Sequence, residues 1–151
     1  MAAVTVAPAV EAMLAIRDRI NSGTAYVIDL EAEYGELQVD ELESIDGLRV
    51  DVTSEDETQL VETLALEDRT SHNLRIWIRS PLERRTNDEL DPLKLVVRQI
   101  YQRINNYDST DGRVRVWTCD IESKQNPDKA ILNQHGLFVS SIALRVEVEA
   151  S

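Results

Sequence analysis

LFVSSIALRVEVE, residues 137–149, decides the fold. Phe138, Ser140, Ile142, Leu144, Val146 and Val148 fall on alternate positions, so an extended chain here shows one long, mostly apolar face. The run is more than twice the five or six residues of an ordinary strand. A strand of that length needs a long neighbour. GRVRVWTCDI, residues 112–121, supplies it, because Val114, Val116 and Thr118 alternate with Arg113, Arg115 and Trp117 and predict a strand through about Ile121.

Working outward, Leu93, Val96, Val97, Ile100, Tyr101 and Ile104 make the best helical stripe in the chain. Lys94, Arg98, Gln102 and Arg103 cover its other face. Asp91-Pro92 predicts the helix start, and Asn105-Asn106 its end, with a turn at Asp111-Gly112. SPLERRTNDEL (80–90) reads as a polar connection, and so does ESKQNPDKAILNQHG (122–136). Near the N-terminus, Pro8 and the apolar positions Val10, Met13, Leu14 and Ile20 predict a first helix, closed by Asn21-Ser22-Gly23. Tyr26, Ile28 and Leu30 predict a strand over 25–33. Asp46-Gly47 reads as a hairpin turn, followed by a half-buried strand at Leu48, Val50 and Val52. Ser54-Glu55-Asp56-Glu57 reads as a loop. Residues 58–67 read as a short helix on Leu60, Val61 and Leu64, or as a strand on Leu60, Glu62, Leu64 and Leu66. The alternating run Leu74, Ile76, Ile78, just after a turn-like Ser71-His72-Asn73, favours the strand and a hairpin.

The order is helix, three or four strands, helix, two strands. That predicts one domain over 1–151, of α+β class: a mainly antiparallel sheet with two helices packed on one side and a long C-terminal strand.

The chain has 151 residues and a formal net charge of −12. Its 5 Gly exclude a collagenous chain and its 1 Cys excludes a disulfide framework. No apolar run approaches a bilayer span, and the N-terminus lacks the basic region of a signal peptide. The charge is unevenly placed. Residues 29–68 carry 15 acids against Arg49 alone, whereas 69–121 carry 10 bases and 7 acids. A solvated acidic sheet explains this simply. In a head-to-tail oligomer the acidic stretch of one copy would instead meet the Arg-rich segment of the next.

Catalytic signals are thin. Cys119 sits on a predicted strand and reads as a small apolar filler. His72 and His135 have no second ligand at metal spacing. Ser54-Glu55-Asp56-Glu57 is too short for a calcium loop. Asp120, Glu122 and Lys124 share one strand face, and an acid-x-lysine pair of this kind serves metal-dependent nucleases, with Asp108 or Asp111 as a further ligand. A charge of −12 argues against a protein that must grip DNA. The expectation is therefore a non-enzyme with no catalytic, metal or cofactor-binding residues and no cofactor.

The whole-chain pattern resembles the tail-terminator (tail completion) proteins of long-tailed bacteriophages. The resemblance rests on VEAMLAIRDRI (10–20), LRIWIRSP (74–81), DPLKLVVRQIYQRI (91–104), GRVRVWT (112–118) and FVSSIALRVEVE (138–149). It lies in element order and apolar pattern across most of the chain, not in an invariant motif. It implies a structural virion protein, assembled in the host cytoplasm. That protein would form a ring, typically a hexamer, at the head-proximal end of the tail tube, ending tube polymerisation and joining the head connector or stopper. Another neck or tail-tube assembly protein shares the same design. The implied partners are copies of itself, the tube protein and the connector, with no membrane. Genomic DNA would pass an acidic lumen without specific binding. In such a ring, Arg75, Arg79, Arg84 and Arg85 are expected to face an acidic neighbour.

Overall fold

A computed structural model describes residues 7–22, 26–35, 47–59, 69–83, 86–121 and 136–149. The elements are α1 (Pro8–Asn21), β1 (Ala32–Tyr34), β2 (Arg49–Gln59), β3 (Arg69–Pro81), α2 (Asn87–Ile104), β4 (Val114–Ile121) and β5 (Leu137–Glu149). The sheet order is β1-β2-β3-β5-β4. Every pairing is antiparallel except β1 with β2, so the sheet is mixed. The class is α+β, as expected.

The long terminal strand sits inside the sheet. β5 pairs with β3 along its whole length, from Arg69↔Glu149 to Pro81↔Leu137, and with β4 from Val114↔Val148 to Ile121↔Ile142. The chain thus gives its longest apolar face two neighbours. Phe138, Ile142, Leu144, Val146 and Val148 join Leu74, Ile76, Ile78, Val50, Val52, Val114 and Val116 in one core. The helices add Ala12, Met13, Ile16 and Ile20 from α1 and Leu93, Val96, Val97, Ile100 and Ile104 from α2.

The two helices end side by side and cap each other. Arg19 Nε donates to the Arg103 carbonyl at 3.1 Å, and Arg103 Nε donates to the Arg19 carbonyl at 2.8 Å. Arg103 Nη2 also donates to the Ser22 carbonyl and, at 2.8 Å, to Ser22 Oγ. Each last turn thereby gains a cation for its bare carbonyls, which the helix dipole favours. Arg19 further lies over the Tyr107 ring, 4.8 Å from its centre.

Several sequence expectations need correction. The strand over 25–33 shrinks to Ala32–Tyr34. Upstream of it, the Tyr26 hydroxyl donates to the Ile20 carbonyl at 2.7 Å and the Val27 N–H donates to Gln99 Oε1 at 3.1 Å, so helix groups replace a strand partner. Ser54-Glu55-Asp56-Glu57 is no loop; it lies inside β2, with the register shifting between Ser54 and Asp56. Ser71-His72-Asn73 is no turn; it lies inside β3. Both tracts are polar, yet each pairs with a neighbouring strand. α2 starts at Asn87 instead of Asp91, with Thr86 at the N-cap and Pro92 inside the helix. Thr86-Asn87-Asp88-Glu89 has the spacing of a capping box, a signal that could have set the start. Gly112 (φ 74°) makes the expected turn before β4. Gly23, Asp46, residues 60–67 and most of the 122–136 connection lie outside the described residues.

Candidate interaction surface

Both helices pack on the Leu74–Ile76–Ile78 face of the sheet, so Arg75, Trp77 and Arg79 alternate onto the other face. Register carries Asp51 opposite Trp77, and Arg49 opposite Arg79. The Arg49 and Arg79 guanidiniums flank the Asp51 carboxylate. Arg79 Nη2 donates to Asp51 Oδ2 at 2.9 Å, and Arg49 Nε donates to the same oxygen at 2.9 Å. Arg79 is 0% exposed. One row along, Arg75 Nε meets Glu55 Oε1 at 2.5 Å and Arg75 Nη1 donates to Ser141 Oγ at 3.1 Å, with the guanidinium 5.4 Å from the Trp77 ring centre. Arg145 Nε donates to Ser71 Oγ at 2.9 Å, on β5 next door.

This arrangement bears on the head-to-tail reading of the charge pattern. β2 from the acidic stretch and β3 from the Arg-rich stretch are adjacent antiparallel strands of one chain, and part of their opposite charge is matched within it. Arg79 is buried against Asp51 and offers nothing to a neighbour, which corrects its expected place at an interface. Arg75 already holds Glu55. Arg84 and Arg85 lie outside the described residues.

Among the described residues the sequence's chemical candidates do not converge. Asp120 is exposed near the end of β4, while Glu122 and Lys124 lie outside the described residues. Asp108 Oδ1 accepts from Arg115 Nε at 3.1 Å. Asp111 Oδ1 accepts from the Ser109 hydroxyl at 2.6 Å and from the Arg113 N–H at 3.0 Å, bonds that hold its carboxyl below the usual range. Both thus serve the turn before β4. Cys119 points into the core, where burial pushes its thiol up to about 12, far from a thiolate nucleophile. His72 is fully buried on β3, its Nε2 2.7 Å from Thr70 Oγ1, and β5 lies between β3 and β4. His135 lies outside the described residues. Among the described residues no group of three His, Cys, Asp or Glu side chains could hold a metal, and no helix is long and apolar enough to cross a membrane.

The sheet's two edges differ. At β1, the Asn21 side chain occupies the edge: Ala32 N–H donates to Asn21 Oδ1 at 2.7 Å and Asn21 Nδ2 donates to the Ala32 carbonyl at 3.0 Å. At β4, the stretch 107–109 covers only the start, through Val116 N–H to the Tyr107 carbonyl and Ser109 N–H to the Val114 carbonyl, both 2.9 Å. Beyond it, among the described residues, β4 is open on that side. Trp117 stands at the register shift there, 52% exposed. The sequence carried no sign of either edge device. The chain matches no family model and no curated protein.

Proposed function

We propose that this chain is a structural virion protein of a tailed bacteriophage, a ring subunit that ends the tail tube and joins it to the head connector. One observation carries the reading: the element order, a short helix before the sheet, a second helix packed on it and a closing strand pair, is the order that the tail-terminator resemblance implies. The β4 edge, open beyond its start among the described residues, and the exposed Trp117 lend it further support, since both suit a protein that works by contact with other chains.

Purified protein is mixed with tail tubes and with portal rings, then followed by negative-stain microscopy and mass measurement. A ring at one tube end is the expected result. Failure to bind tubes, connectors or itself overturns the proposal. Within this reading, Arg84 and Arg85 remain the basic contacts of the Arg-rich segment. Arg84→Glu with Arg85→Glu weakens ring formation; unchanged assembly removes that assignment.

A further inference from the structure

Two surfaces present exposed side chains of opposite charge that form no ion pair among the described residues. The first is an open cleft of about 410 Å³ at the β1 edge, lined by Arg17, Asp18, Asn21, Glu31, Glu33 and Tyr34. Its size falls within the roughly 300–1,000 Å³ of ligand-holding pockets. Arg17 is committed inside it, bonded to Asp18 at 2.8 Å and lying 5.3 Å from the Tyr34 ring centre. Glu31 and Glu33 are exposed and meet no cation among the described residues, and Tyr34 is 41% exposed.

The second is the outward face of α2. Lys94 and Arg98 are four residues apart, so they share one face of the helix. Both are exposed and neither bonds a carboxylate among the described residues; Arg98 lies 5.7 Å from the Tyr101 ring centre, and exposed Asp91 stands one turn before Lys94. Leu95 stands beside them at 47% exposure. Val27 extends the patch at 49%, because its N–H is held by Gln99, one turn beyond Leu95. Three of the four exposed large apolar side chains of the described residues therefore lie on these two surfaces.

We infer that the α2 face of one copy docks into the β1 cleft of the next, Lys94 and Arg98 against Glu31 and Glu33, and Leu95 against the Tyr34 ring. The inference takes its partner, a second copy, from the assembly reading above. Charge complementarity supports this pair of surfaces, whereas Asp51, Glu55 and Arg79 are already paired within the chain. The basic side chains lay their aliphatic stems along the Tyr34 wall while their charged heads reach the acids. Asn21 bars strand addition at Ala32, so the contact is made by side chains. Two different patches on one chain make a heterologous contact, which closes into a ring or continues as a filament.

Charge reversal tests it. Glu31→Lys with Glu33→Lys, and separately Lys94→Glu with Arg98→Glu, each weaken self-association by at least about tenfold in sedimentation equilibrium, as expected for lost charge pairs. All four changes in one chain restore it. Circular dichroism and thermal melts confirm that each variant folds. The inference is overturned by unchanged association of either variant, by failure of the combined chain to recover, or by a wild-type chain that stays monomeric with and without tubes. Rings that form in the reversed variants leave the tail reading intact and remove only this contact. Wild-type self-association that obeys the reversal pattern without binding tubes does the opposite.

Discussion

Asp51 is the residue on which the sheet face opposite α1 and α2 depends. It is 6% exposed and, among the described residues, is the one acceptor that Arg79 meets, with Arg79 Nε and Nη1 buried and unbonded there. Removing one member of a buried pair leaves an uncompensated charge, so Asp51→Ala costs about 3–5 kcal/mol, read by urea unfolding. Asp51→Ala with Arg79→Met recovers much of that loss, because the pair itself contributes little beyond an apolar replacement. Cys119 gives a second residue-scale expectation. An unfolded thiol loses its proton near 9, whereas the folded thiol holds it to about 12. Above pH 9 the unfolded chain binds fewer protons than the folded one, so stability falls as pH rises through that window. Tyr26, also raised by burial, adds to the fall. Cys119→Ala makes the decline shallower, and in the wild type a thiol reagent reacts only after unfolding. None of this was legible beforehand beyond the inertness of the cysteine. Alternation put Arg75 and Arg79 off the core face, but only register could say that Asp51 lies beside Arg79.

At the scale of elements, β1 is short and depends on a helix. Asn21 serves Ala32 as a substitute strand, supplying a donor and an acceptor through one amide. Asn21→Ala leaves both backbone groups unmet, costs about 1–3 kcal/mol and speeds hydrogen exchange at the Ala32 amide before any other part of the sheet. Arg103 plays the corresponding role between the helices. Arg103→Met strips carbonyl bonds from the end of α1 and lowers stability by about 1–2 kcal/mol, measured by the same unfolding assay. Element type was readable wherever the apolar period was strong, as in α2, β4 and β5. It was misread where the strand residues are polar, at Ser54–Glu57 and Ser71–Asn73. A solvated strand face and a loop share a composition, and only the partner strand distinguishes them.

For the whole molecule, the net charge of −12 opposes compaction. Adding NaCl until the Debye length shrinks from about 30 Å to about 10 Å therefore raises the melting temperature, despite weakening the exposed Arg115–Asp108 pair. The sequence by itself determined the class, the element order and the apolar faces, because periodicity is local and burial of one face follows from it. It also determined that acid and base are segregated along the chain. The tertiary structure alone decided that β5 lies between β3 and β4, that β1 runs parallel to β2, and that Asp51 and Glu55 of β2 meet Arg79 and Arg75 of β3. Those outcomes depend on which residues meet across long loops, and meeting is a property of register and packing that no local pattern encodes.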